Sequence, residues 1–310
     1  MEIRLYNDIV FKWIFGRQEH TRPLICFLNS VVGYDSDEHK FSEVKILNPF
    51  DTSEPFTNEK MGILDIRAKD IQTEEWIDLE IQVIYNEYYP QRSKYYLAGM
   101  YREQLKKSKE INYDDLKPCY GIHILIDSLF NDEADEKFWF NHYAMLNTRT
   151  HKPLINHWNL YYVELNKFLK CFDKMNYTKE LEQWSYFIGT IQDNSKQLNS
   201  FFDKNDAIKE VFNMLQTFTK DDKLREQYRL HEEWLRVQRT EAALKEKLKK
   251  QYMDALRVIQ QERQAKEQER RAKEDIQKRS ILTLKQMGLS NDNIVNALNI
   301  PLVEVEKNNL

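Results

Sequence analysis

The sequence predicts an α/β sandwich on a mixed sheet, followed by an all-helical C-terminal extension. Three observations carry this expectation. Along the strand-like run WIDLEIQV, Ile77, Leu79, Ile81 and Val83 fall on one side and Trp76, Asp78, Glu80 and Gln82 on the other, the period-two pattern of a strand with two distinct faces. The run CYGIHILID is nearly all apolar, as a strand covered on both sides should be. From Asp221 to Ser280 there is neither Gly nor Pro, so that segment reads as one long helix.

The remaining elements follow in order. YNDIVFKWIF is a short amphipathic helix with Ile9, Phe11, Trp13, Ile14 and Phe15 as its apolar residues, and Gly16 ends it. PLICFLNSVVG is a second helix, with Pro23 at a permitted first-turn position and Gly33 as its stop. FSEVKILN and MGILDIRAKD are strands, and IQTEE turns the second of them into WIDLEIQVI. RSKYYLAGMYREQLKKS is a helix with Tyr96, Leu97, Met100, Tyr101 and Leu105 inward. KFWFNHYAML and LYYVELN are further strand candidates, and KELEQWSYFIGTI and DAIKEVFNMLQTF are packed helices.

Within the long helix, Leu244, Leu248, Tyr252, Leu256 and Ile259 recur at spacings of four and three, enough to bury one face. From Gln260 to Asp275 that stripe is lost, which suits a solvated helix or a frayed linker. The tail regains apolar periodicity. Gly288 ends one helix and Ser290 caps the next, a pattern like a helix-turn-helix. The tail is poor in basic residues, which favours packing or partner binding over reading DNA. The expected organisation is a catalytic core over residues 1–175, a helical packing region over 176–220, a long charged helix over 221–280 and a small helical tail over 281–310.

Composition narrows the function. The chain has 310 residues, 41% hydrophobic and 31% charged, with a net charge of −4, so a sizeable core forms and nonspecific coating of nucleic acid is disfavoured. Cys26, Cys119 and Cys171 are widely spaced with no CxxC pair, which removes zinc-ribbon and dithiol readings. No apolar run approaches the about 18–20 residues that span a bilayer, and the N-terminus lacks a secretory apolar core. A cytoplasmic protein with no membrane partner is expected. Phosphate-binding, dinucleotide-binding, zincin and hydrolase-elbow motifs are missing.

One constellation carries chemistry. Asp65 in ILDIRA and Glu80 in DLEIQ lie on successive strands joined by a turn near Gln72–Glu74, so the two fall roughly opposite each other. A hard divalent cation is commonly held by one or two carboxylates and water, and it activates water for phosphodiester hydrolysis. The carbonyl of Ile81 offers a third oxygen, and the Gln82 amide can orient water or bond a phosphate. Spacing alone leaves solvent-facing carboxylates as the commoner explanation. By the same reasoning Asp8 and Lys12 can form a simple i,i+4 pair, and His123 reads as a satisfied core histidine.

The ordered set NDIVFKWIFG, FLNSVVG, LNP, KMGILDIRAKD, IDLEIQV, RSKYY with YREQL, and the apolar strand before DSLF resembles the PD-(D/E)XK nuclease family transposases, also described as recombination-promoting nucleases. The resemblance spans Leu5 to Phe130. It implies a restriction-endonuclease-like α/β/α core and a Mg²⁺- or Mn²⁺-dependent endodeoxyribonuclease acting on DNA. It implies Asp65 and Glu80 as catalytic metal ligands and Gln82 at the usual lysine position. Asp8 and Lys12 match a first-helix D-x-x-F-K pattern, and Arg92 with Tyr95 or Tyr96 matches the arginine and aromatic positions after the hairpin. Two departures stand out. Leu64 replaces the proline before the aspartate, and Gln82 replaces the lysine, leaving Lys60 or Lys12 to supply positive charge. Two other readings compete: an inactive nuclease relative that only associates with DNA, and an oligomeric protein whose business is the long helix. A homodimer through residues 223–259 is the expected assembly.

Overall fold

The computed structural model describes residues 3–36, 40–50, 65–106, 112–131, 137–171, 178–190 and 202–307. Its centre is a six-stranded mixed sheet in the order β1-β2-β3-β4-β6-β5. The strands are β1 (Val44–Ile46), β2 (Ile66–Asp70), β3 (Trp76–Gln82), β4 (Cys119–Leu125), β5 (Phe140–Ala144) and β6 (Trp158–Glu164). β1, β2 and β3 run antiparallel in succession, β3, β4 and β6 are parallel, and β5 returns antiparallel on the outside.

The β2–β3 hairpin turns where the sequence places it. Asp70 caps the turn by accepting from the backbone amides of Gln72 and Thr73 and from the Thr73 hydroxyl. This is a local side-chain turn of the kind aspartate favours. On the outer side of β1, Gln18 donates to the Val44 carbonyl and accepts from the Ile46 amide, so one side chain occupies backbone groups that an open edge would present.

Helices cover both faces of the sheet. Helices α1 (Asp8–Phe15), α2 (Thr21–Val32), α4 (Leu165–Lys170), α5 (Glu180–Gly189) and α6 (Asp206–Lys220) share one apolar cluster with Ile77, Leu79 and Ile81 of β3 and with Tyr120, Ile122 and Ile124 of β4. Trp184, Phe15 and Phe27 pack there edge to face or tilted, with centroids 5.7–5.9 Å apart. Helix α3 (Tyr89–Lys106) covers the other face, where Tyr89, Leu97 and Met100 pack on Trp76, Cys119 and Tyr162. It begins three residues before the expected Arg92. Pro90 in its first turn loses no helical hydrogen bond, and Tyr89 joins the buried stripe Tyr89, Ser93, Leu97, Met100, Gln104. With both faces covered, β4 is buried throughout and β3 from Trp76 to Ile81. The polar side of β3 therefore faces a covered layer, not open solvent.

The long helix α7 runs Asp222–Gln286, and Gly288 with φ of 83° closes it. Its helical hydrogen bonding continues past Ser280, and the Gln260–Asp275 stretch is helical throughout. There Arg270 pairs with Glu267 and Glu274, Arg271 with Glu267, and Lys273 with Glu269. The chain divides into two compact units, Met1–Thr240 and Glu241–Leu310. In the first, Leu224, Tyr228 and Leu235 of α7 are buried. In the second, Ile281 packs with Ile294 of α8 (Asn291–Leu298) and Val305 of α9 (Leu302–Glu306). Leu244, Leu248, Tyr252, Leu256 and Ile259 are all exposed, so among the described residues the stripe expected to be buried is not covered. Of the segment 223–259 expected to carry assembly, Leu224, Tyr228 and Leu235 are buried, while Leu230, Val237 and the stripe from Leu244 onward are exposed. No helix among the described residues is long and apolar enough to cross a membrane.

Candidate active site

Asp65 and Glu80 meet on the face covered by α3. The hairpin register pairs Ile66 with Leu79, so the next position places Asp65 across from Glu80. Asn48, from the LNP segment, fixes the start of β2 by donating to the Asp65 carbonyl at 3.1 Å and accepting from the Arg67 amide at 2.8 Å. The Asp65 carboxylate bonds Arg67 Nε at 2.9 Å. Glu80 accepts from Arg92 Nη2 at 2.6 Å, and Arg92 also lies over the rings of Tyr89 and Tyr96.

Burial sets the electrostatics. Desolvation raises the Glu80 carboxyl, Arg92 opposes that rise, and the negative charge of Asp65 adds to it. Asp78, one pleat back on the same face, is pushed up to about 7 by burial and by its neighbours Asp65 and Glu80. Its Oδ1 has no hydrogen-bond partner. Asp65, Asp78 and Glu80 therefore feel one another's negative charge in a covered layer. Lys12 on α1 lies close enough to Asp65 to feel its charge, while burial lowers its pKa.

Gln82 and Ile81 complete the strand end. The Gln82 amide nitrogen donates to the Ile84 carbonyl at 2.6 Å, which leaves its oxygen as the group open to new partners. The Gln82 carbonyl accepts from Ile126 on the β4 side. Successive strand carbonyls point opposite ways, so that of Ile81 points toward the β2 side, beyond the last ladder pair at Ile66.

Asp8 sits at the first turn of α1, beside the start of α7. His231 Nε2 is 3.8 Å from its Oδ2, and the neighbouring Asn7 donates to Glu232 at 2.7 Å. Burial, with Glu80 and Glu232 nearby, pushes Asp8 up to about 8. The i,i+4 pairing of Asp8 with Lys12 is thus replaced by contacts to other elements. Tyr96 touches Arg92 from the helix side, whereas Tyr95 is 73% exposed and packs on the Tyr96 ring. Lys60 and Leu64 lie outside the described residues. His123 is a core residue, as expected, but only half satisfied. Its Nδ1 lies 3.0 Å from the Tyr89 hydroxyl and its Nε2 has no partner, and burial lowers its pKa to about 3.

The family model for PD-(D/E)XK nuclease family transposases matches residues 5–238. The chain belongs to this family. No curated protein and no solved structure gives a significant match. The α/β fold with its mixed sheet agrees with the PD-(D/E)XK architecture, and membership makes the protein a nuclease-type one. The matched stretch runs past the carboxylates and takes in Phe218, Tyr228 and Leu235.

Sequence reading of this family member missed Asn48, Arg67, Asp78 and His231. Arg67 carries a signal in principle, since it lies two residues from Asp65 and so on the same side of β2. His231 carries none, because only the fold brings residue 231 beside residue 8.

A divalent cation suits this donor set in one form only. Among the described residues no three His, Cys, Asp or Glu side chains are grouped to hold a metal. The available donors are hard oxygens, the carboxylates of Asp65 and Glu80 placed opposite each other by the hairpin register. That fits an ion held by two carboxylates and its own waters, such as Mg²⁺, and not a closed zinc site.

Proposed function

We propose that the protein is a divalent-metal-dependent endodeoxyribonuclease that hydrolyses phosphodiester bonds in DNA during transposition or recombination. The observation that carries this reading is the register that sets Asp65 against Glu80, ringed by Lys12, Arg67 and Arg92. Asp65 and Glu80 would hold Mg²⁺ or Mn²⁺, with the Ile81 carbonyl as a third oxygen donor. Bound there, the cation would polarise the phosphoryl oxygen and lower the pKa of a water.

The protein's own groups do the rest. Arg67 and Arg92 neutralise the carboxylates, and their guanidinium groups would bind phosphate oxygens of the substrate well. Lys12 supplies the positive charge that Gln82, at the usual lysine position, lacks. Gln82 orients the attacking water through its amide oxygen. In this reading the chemistry resides in residues 1–175, and residues 176–220 brace it. Exposed apolar residues of α7 from Leu244 to Ile259 pair two copies, giving the two sites that cutting both strands requires.

One observation favours a second reading. Asp65 and Glu80 each already have an arginine partner, which a non-catalytic DNA-associated relative would also retain. Supercoiled plasmid incubated with the purified protein distinguishes the two. Nicked and linear products with Mg²⁺ or Mn²⁺, and none with EDTA, support the enzyme. Binding without cleavage in any divalent metal supports the inactive relative.

A further inference from the structure

Glu80 is held from behind as well as from the side. Tyr89 is 1% exposed and His123 0% exposed, both under α3 on the Glu80 face of the sheet. His123 is the β4 residue paired directly with Glu80. Its Nδ1 is 3.0 Å from the Tyr89 hydroxyl and 3.9 Å from Glu80 Oε2, and Tyr89 and Glu80 each act on the other's electrostatics as side-chain neighbours.

The ring is clamped. Tyr162 stacks on it with centroids 5.2 Å apart, and Ser93 fixes Tyr162 through a 2.5 Å bond between hydroxyls. At Gly121 a Cβ would come within 2.9 Å of His123 Nε2 and 2.8 Å of Leu160, so the absence of a side chain there is what admits the ring.

The hydrogen-bond inventory fixes the proton. His123 Nε2 is buried without a partner, so a doubly protonated ring would strand an N–H. With the single proton on Nε2, the Nδ1 lone pair would face a carboxylate, and Nδ1 would compete with Glu80 for the one phenolic proton. With the proton on Nδ1, every donor has an acceptor.

We infer that Tyr89 and His123 are positioning residues for Glu80: His123 donates its Nδ1–H to the Tyr89 oxygen, and Tyr89 donates its hydroxyl proton to the Glu80 carboxylate. The pair holds one carboxylate oxygen and leaves a fixed lone-pair direction for the cation. The inference rests on the metal-site reading above. Groups that orient a ligating carboxylate typically change metal affinity by about 10–100-fold when removed.

Mn²⁺ binding to the full chain, measured by electron paramagnetic resonance of the free ion, tests this without relying on turnover. Wild type, Tyr89→Phe, His123→Leu, His123→Asn and Glu80→Ala are compared, with thermal melts alongside. The expected result is Mn²⁺ binding by wild type that Glu80→Ala abolishes. Tyr89→Phe weakens it about 10–100-fold with the melt still cooperative. His123→Leu weakens it too, and His123→Asn, whose amide N–H sits where Nδ1–H was, restores it. Mn²⁺ affinity unchanged in Tyr89→Phe overturns the positioning role while leaving the metal site standing. Failure of wild type to bind Mn²⁺ at Glu80 overturns the metal site, and this inference with it.

Discussion

Glu80 illustrates how single residues here are set by competing demands. Burial disfavours its charge, Arg92 restores it, and Asp65 and Asp78 push against it. A residue in such a balance responds sharply to loss of a partner. Gln82 stands outside that balance, since it is neutral. Gln82→Ala is therefore expected to slow cleavage by no more than about 10²–10³, the usual range for losing one transition-state hydrogen bond. Single-turnover rates measure this, and a variant as dead as one lacking Asp65 would mean Gln82 has a larger role. Asp8 gives a pH test. Its carboxyl is pushed up to about 8 by burial, against an unfolded value near that of ordinary aspartate. Between those values the folded state keeps a proton that the unfolded state releases, so this group's contribution to stability falls as pH rises through the window. Asp8→Asn should gain in melting temperature over wild type between pH 5 and pH 9. A gap that stays constant across that range would contradict the assignment.

At the level of elements, α3 is the lever between core and site. Its buried stripe seats it on the sheet, and the same helix carries Tyr89, Arg92 and Tyr96. Leu97, 1% exposed, is at the centre of that stripe. Leu97→Ala should cost about 2–5 kcal/mol of stability by chemical denaturation, and lower activity by loosening Arg92. Unchanged stability would mean the helix is not packed as described. The elements were largely legible in the sequence, because α1, β3, β4 and α7 each announce one period or one uninterrupted run. The hairpin placed Asp65 and Glu80 together for the same local reason. What was not legible is what distant segments bring. Period-two alternation marked Asp78 and Glu80 as polar-side residues, but only the docking of α3 buries them. Asp8 meets His231 across more than two hundred residues, and no spacing rule reaches that far. The apolar stripe of α7 was read correctly as a stripe, yet periodicity cannot say whether a neighbour covers it.

For the whole molecule, the division falls at Thr240 and Glu241. Every proposed site residue lies in the first unit, and the exposed stripe from Leu244 to Ile259 lies in the second. Removing Glu241–Leu310 should leave metal-dependent cleavage of nonspecific DNA in place and yield a monomer. Sedimentation of both forms at tens of micromolar, an order-of-magnitude range for weak association, checks the second point. A full-length monomer at that concentration would remove the proposed pairing. The central claim is narrower: Asp65 and Glu80 form one metal-dependent hydrolytic site. Plasmid cleavage by Asp65→Ala and Glu80→Ala, each shown folded by circular dichroism and assayed in Mg²⁺ beside wild type, tests it most directly. The account predicts that wild type cuts and that neither variant does. Cutting by either variant at near the wild-type rate would contradict it.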